Sequence, residues 1–371
     1  MMWSYKNPVQ IIFGKGAFAS LSELIAGRSY ALITYPDKPF AEIAAELSAK
    51  AGDALLTIND VVPNPDTRLL TEQSARFKKL VKKPEVIVAL GGGSVIDSAK
   101  VFAAASGDFN KVLNLLQTGH CDDAPKTIPI IAVPTTAGTG SEVTCWATLW
   151  SSETQQKFSL ALKELYPEIA LIDPTLTLQK PGDLTLVTAL DSLSHSLESI
   201  WNINANLVSA RFAVAAAKSI LRDLPTLLAN LDDLELRTNI AEASLNAGLA
   251  FSNTKTAIAH NISYPLTLGW GIKHGIACSF TLPSVLQSVI GIGGFRENSL
   301  KQIFGDDLAK GADDLTSFLK GVGVGHRFAD HQISPSSFQD IINEAFKGDR
   351  GKNFVGLKDK LIEAARQRGM V

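Results

Sequence analysis

Two unbroken apolar runs, VIVAL at 86–90 and IPIIAV at 128–133, constrain the fold of this chain more than any other feature. A strand that is apolar at every residue has no face to give to water. It must be covered on both sides, which is the situation of a parallel sheet between two layers of helices. Each run ends in a loop of small residues: Gly91-Gly92-Gly93-Ser94 after the first, and Pro134-Thr135-Thr136-Ala137-Gly138-Thr139-Gly140-Ser141-Glu142 after the second. Glycine lets a backbone turn sharply and approach a ligand closely. Ser94 is placed to cap the helix that follows, and the N–H groups and dipole of a helix N-terminus favour phosphate. Ligands of open parallel sheets bind at the carboxyl ends of the strands. The first loop is not GxGxxG and is a weak signal alone, and Asp97 reads equally well as an ordinary first-turn residue. The second offers four hydroxyls and two glycines, more than a plain connector needs.

The same alternation fills the first half of the chain. Strands are expected at 9–13, 30–34, 54–58, 85–90 and 128–133, with helices at 17–26, 39–51, 66–81 and 96–105. From about Gly182 the strand signal stops, and Ala- and Leu-rich helical patterns follow at 205–222, 234–251 and 356–368. Ser334-Pro335 reads as an N-cap followed by a first-turn proline, and Gly369 as a helix terminator. The expected architecture is α/β: a Rossmann-like parallel-sheet domain over 1–180 and an all-helical domain over 181–371, divided where Pro and Gly interrupt the pattern at 179–182.

A chain of 371 residues suits two domains, and 46% hydrophobic against 19% charged residues implies a large core. The net charge of −2, without a basic block, argues against nucleic acid as a partner. No apolar run approaches the ~20 residues of a membrane span, and MMWSYKNPVQ lacks the apolar stretch of a signal peptide. Cys121, Cys145 and Cys278 are widely spaced and odd in number, forming neither a disulfide framework nor a CxxC zinc pattern. A cytoplasmic protein is expected.

Asp191 and His195 lie four residues apart in LTLVTALDSLSHSLESIW, where Leu186, Leu190, Leu193, Leu197 and Ile200 keep helical spacing. Residues i and i+4 share a helix face, so carboxylate and imidazole can reach one ion. His260 and His274 would add two nitrogens. One oxygen and three nitrogens suit Fe²⁺ or Zn²⁺ and suit Ca²⁺ or Mg²⁺ poorly. Singly, each residue reads as well as a packed core group or a helix-surface hydrogen-bond partner. Their joint placement favours the metal.

GGGSVIDSAK, PTTAGTGSEVT, ALIDPTLT, TALDSLSHSLES and the His260/His274 pair, with IIFGKGA and VPNPD upstream, occur in a characteristic order. In that order and spacing the chain resembles the iron-containing alcohol dehydrogenase family, from about residue 7 to 290. Within it, KTAIAHNISYPLT and GIKHGIACS look most like phosphonoacetaldehyde reductases. The resemblance implies that Asp191, His195, His260 and His274 hold the metal. It implies that Gly92, Gly93, Ser94 and Asp97 meet the dinucleotide diphosphate, that Thr135, Thr136, Thr139 and Ser141 form a second cofactor loop, and that Lys157 lies near the ribose. Many members carry a further histidine where this chain has Tyr264, which leaves proton relay and simple packing beside Pro265 both open. An acidic residue often follows the second strand in NAD-preferring members; here Pro36 stands there and Asp37 one residue later, so NAD and NADP both remain.

The expected function is that of a metal-dependent alcohol dehydrogenase or aldehyde reductase. It would move hydride between a nicotinamide and a small aldehyde or alcohol, with phosphonoacetaldehyde the leading candidate, and act as a homodimer. Lys255, five residues before His260, would hold the anionic group if it shares that histidine's helix, with Lys273 as a second choice; a solvated surface lysine is the plain alternative. Two rival functions are a non-redox dehydroquinate-synthase-like enzyme, whose ligand pattern does not match, and a dinucleotide-binding protein without catalysis.

Overall fold

A computed structural model describes residues 2–118, 126–154 and 156–371; Cys121 lies outside them. Packing divides the chain into two units. Pro8–Thr136 and Ser141–Thr177 form one; the chain up to Asn7, Ala137–Gly140 and Leu178–Val371 form the other.

The first unit is built on a six-stranded sheet of β1 (Gln10–Phe13), β2 (Tyr30–Ile33), β3 (Leu56–Ile58), β4 (Val86–Gly91), β5 (Ile130–Pro134) and β8 (Ile169–Ile172), ordered β1-β8-β5-β4-β2-β3. Every pairing in it is parallel. The two unbroken apolar runs are its inner strands, and every residue of β4 and β5 is buried. The core thus lies on both faces of the sheet. The strand β8, IALI, was not among the expected elements. Four apolar residues between polar neighbours carry no periodicity, and this strand is defined by sitting between β1 and β5. Also unanticipated are the antiparallel hairpin of β6 (Trp146–Ser151) and β7 (Gln156–Ala161) and the helix Phe109–Thr118.

In the helical unit, the helix Gly182–Ile200 has every residue from Ala189 to Ile200 buried. Its serines are tolerated there because Ser194, Ser196 and Ser199 each donate to the carbonyl four residues back. An Asn206–Ser209 capping box opens the helix Leu207–Ala229. That helix continues through Pro225 to Ala229, beyond the expected end at 222, because Leu224 and Leu227 are fully buried on its core side. Ser334 does not cap an α-helix: Pro335–Ser337 is a 3₁₀ turn, and the α-helix begins at Phe338. Gly369, at φ +61°, follows the last helix in the left-handed conformation expected of a terminator. The chain start belongs to this unit because the Tyr5 hydroxyl donates to the Leu249 carbonyl and Asn253 brackets the Lys6 backbone. Ala137–Gly140 belongs to it because Gly140, at φ +59°, lies so close to Gly248 that a Cβ would come within 2.6 Å of its Cα. No described helix is long and apolar enough to cross a membrane.

Candidate metal centre and cofactor loops

Three imidazoles converge on one carboxylate oxygen in the helical unit. The Nε2 atoms of His260, His195 and His274 lie 3.3, 3.7 and 3.9 Å from Asp191 Oδ1. Asp191 and His195 come from one face of the helix Gly182–Ile200, His260 from the helix Ile258–Trp270, and His274 from the first position of the short helix His274–Ser279. Gly275 permits the last placement, since a Cβ there would overlap the Val187 carbonyl. The His195 ring stacks on Phe251 at 4.0 Å and on His260 at 4.7 Å between centroids, which fixes its plane.

The chemistry of this cluster fits a cation. Asp191 Oδ1 and His260 Nε2 are buried without a hydrogen-bond partner, a costly state for two polar atoms that face each other. Burial alone would raise the Asp191 pKa, but the three imidazoles hold its carboxyl well below the ordinary range. Burial pushes His195 down to about 4, leaving a neutral ring with a lone pair to give. Burial also opposes charge on His260, yet Cys278, Glu198 and Asp191 together raise its pKa. A positive charge is therefore favoured where Nε2 meets Asp191. A divalent ion held by two or more of these donors supplies it.

Two residues at this site were not singled out from sequence. Glu198, fully buried one turn beyond His195, places Oε2 2.5 Å from His260 Nδ1, while its Oε1 accepts the backbone N–H groups of Ala259 and His260 at 2.6 and 3.2 Å. The carboxylate accepts the Nδ1–H hydrogen bond and so leaves the Nε2 lone pair directed at the cluster. Cys278 lies within the cluster, its Sγ 3.6 Å from His274 Nε2. Both stood at helical spacing from a suspected ligand, the one signal that pointed to them.

Tyr264 is partly buried, its ring nearly parallel to that of His274 with centroids 6.3 Å apart. Lys255 does not share a helix with His260. It caps the preceding helix, Leu234–Thr254, with an exposed side chain and a strained backbone at φ +63°, ψ 177°. The five-residue spacing spans a helix boundary, because this conformation ends one helix before Ile258 opens the next. Lys273 pairs with Asp183 at 2.7 Å.

In the sheet unit, Gly92 precedes a helix that starts at Gly93 and runs to Ala105, three residues earlier than the pattern suggested. A Cβ on Gly92 would come within 3.1 Å of Thr136 Oγ1, so the two loops approach each other here. Ser94 does not cap this helix. It lies inside the first turn, where its hydroxyl accepts the Asn64 N–H at 3.2 Å.

Asp97 accepts the Ser141 hydroxyl at 2.6 Å on one oxygen and the Thr148 N–H at 2.9 Å on the other. Lys100, wholly buried, donates to the Ser141 carbonyl and hydroxyl and to the Trp146 carbonyl at 2.7–2.9 Å. Together they clamp the second loop to the helix Gly93–Ala105, a role for Lys100 that the sequence did not reveal. Burial lowers Lys100 to about 8 against the pull of Asp97, and raises the adjoining Glu142 to about 7. Thr135 Oγ1 is buried without a partner, whereas Thr136 and Thr139 are partly open. Lys157 lies opposite Trp150 in the hairpin, its Nζ 5.3 Å from the ring centroid, and its charge acts on Asp97. Asp37 is exposed at the N-cap of Lys38–Ala51 and makes no side-chain capping bond.

A family model described as iron-containing alcohol dehydrogenase matches residues 8–174, and one described as the C-terminal part of the Fe-containing alcohol dehydrogenase family matches 185–365. The chain is 27% identical over 361 residues to the NAD-dependent methanol dehydrogenase of Bacillus methanolicus, covering 93% of this chain and 94% of that one. It is 34% identical over 241 residues to the phosphonoacetaldehyde reductase of Streptomyces viridochromogenes, covering 63% and 60%. Its structure is similar to that of sulfoacetaldehyde reductase from Bifidobacterium kashiwanohense in complex with NAD+. That likeness has a TM-score of 0.88 and 29% identity, over 99% of this chain and 98% of the other.

Proposed function

Because the chain belongs to the iron-containing alcohol dehydrogenase family, we propose that it is a metal-dependent aldehyde reductase that uses a nicotinamide cofactor and acts on a small anionic aldehyde such as phosphonoacetaldehyde. The observation that carries this reading is the convergence of Asp191, His195, His260 and His274, with two of the facing atoms buried and unpaired. When bound, a divalent ion and a nicotinamide supply Lewis-acid polarisation of a carbonyl and a hydride donor.

The chain's own residues do the rest. Asp191 and the three imidazoles hold the ion, Fe²⁺ or Zn²⁺, and Glu198 keeps the His260 lone pair aimed at it. Gly92, Gly93 and Ser94 at the helix start take the diphosphate. Asp97 and Ser141 hold the second loop in shape, Thr135, Thr136 and Thr139 line it, and Lys157 reaches the ribose. Asp37 has a carboxylate uncommitted to capping, which supports a ribose 2′-hydroxyl and therefore NAD over NADP. Tyr264, stacked near His274, moves a proton from its Oη to the product oxygen. Lys255 does not share the His260 helix, so it would hold the substrate's anionic group only through the reach of its exposed side chain from the end of the preceding helix; Lys273, already paired with Asp183, is the weaker choice. Two relatives named for aldehydes that carry an acidic group support this substrate class. We place the enzyme in the cytoplasm as a homodimer.

The test is nicotinamide oxidation with phosphonoacetaldehyde and with an uncharged aldehyde of similar size, by wild type and by Lys255→Met. The reading expects NADH-dependent turnover that favours the anionic substrate, with that preference lost in the variant. Absence of turnover with any aldehyde overturns the reading. Equal turnover of both aldehydes by wild type removes the anionic substrate class.

A further inference from the structure

We propose that Cys278 is a sulfur donor to the same metal site, so that the chain offers two overlapping donor sets. Both share Asp191, His260 and His274; one is completed by the nitrogen of His195 and the other by the sulfur of Cys278. This inference rests on the metal reading above.

The donor atoms of Asp191, His260, His274 and Cys278 all lie within 4.8 Å of one another, and Cys278 is completely buried. Two of these separations match a tetrahedral shell, and a third, from His274 Nε2 to Asp191 Oδ1 at 3.9 Å, is wider. With metal–nitrogen and metal–oxygen bonds near 2.0–2.1 Å and a metal–sulfur bond near 2.3 Å, a tetrahedral ion separates a nitrogen from a sulfur by about 3.6 Å and a nitrogen from an oxygen by about 3.3 Å. Cys278 Sγ is 3.6 Å from His274 Nε2, and His260 Nε2 is 3.3 Å from Asp191 Oδ1. Independently of the thiol, the unpaired Asp191 Oδ1 and His260 Nε2 belong to residues only 6% and 3% exposed, and both atoms point into this cluster.

His274 and Cys278 stand at i and i+4 on the helix His274–Ser279, so both side chains leave one face. Coordination through sulfur releases the thiol proton to solvent as the ion binds. A thiolate in the set shifts preference toward softer ions, so the sulfur-containing set favours Zn²⁺ and the His195-containing set Fe²⁺.

The test uses the full-length protein stripped of metal and loaded with Co²⁺, a spectroscopic stand-in for zinc. Wild type should show an intense sulfur-to-cobalt charge-transfer band in the near ultraviolet, absent from Cys278→Ser and Cys278→Ala. Zinc affinity measured by chelator competition should fall about tenfold or more in both variants, with a much smaller change for Fe²⁺. Bound cobalt without that band in wild type overturns the inference and leaves the metal reading standing, and this result needs no variant to fold. A band that survives in both variants also overturns it. Failure of wild type to take up cobalt at all overturns the metal reading and this inference together.

Discussion

Glu198 Oε2 lies 2.5 Å from His260 Nδ1, in a pocket where Glu198 is fully buried and its other oxygen is held by two backbone N–H groups. The pair fixes both the plane of the imidazole and its tautomer. A neutral glutamine can accept from the backbone or from Nδ1, but its NH₂ end cannot accept from the other. Glu198→Gln should therefore lower metal affinity ten- to a hundredfold, the usual cost of losing such a partner. Competition with a chromogenic chelator measures it. An unchanged dissociation constant would show that the ring is oriented by packing alone.

Glu142 and Lys100 give the sheet unit a pH dependence of its own. Burial raises Glu142 from 4.5 to about 7, partly relieved by the Lys100 ammonium. Between those values the folded chain holds a proton that the unfolded chain has lost, so stability falls as pH rises from 4.5 to about 7 and stays lowered above it. The full effect amounts to about 3 kcal/mol at most. Glu142→Gln removes the titration. Its melting temperature relative to wild type should climb steadily across that range, and a difference independent of pH would refute the assignment.

Much of this architecture was written in local pattern. The inner strands β4 and β5 are apolar because helices cover both of their faces, and the glycine- and threonine-rich loops that follow them mark the runs as strands, a signal that β8 lacks. The hairpin strand WATLWS alternates in burial, but Ala147 and Ser151 on its inward face are small or polar while Trp146 and Trp150 stand on the other, so the alternation does not show in hydropathy. Asp191 and His195 could be paired in advance because one helix carries both. Glu198 sits on the same helix, yet its partners arrive from more than sixty positions later, and only its spacing of three from His195 marks it apart from other helix carboxylates. Lys255 was misplaced for the converse reason: proximity in sequence spans a strained residue at which the helix ends.

Gly93 opens the helix after β4, and its N–H is among the first-turn groups that lack an intrahelical acceptor. Gly93→Val should leave the fold and the metal content intact while placing a branched side chain where phosphate must approach. Cofactor affinity is expected to drop by about tenfold or more, or ~1.4 kcal/mol. Calorimetric titration with NADH would detect it, and a wild-type dissociation constant would remove this loop from the cofactor site.

The central claim is a single divalent ion held by Asp191, His195, His260 and His274. It is tested most directly by elemental analysis of purified wild type and His274→Ala, with circular dichroism to confirm that both are folded. The account predicts one Fe²⁺ or Zn²⁺ per chain in wild type and well under half that in the variant, which should also lose aldehyde reduction. A folded His274→Ala protein with undiminished metal content would contradict it.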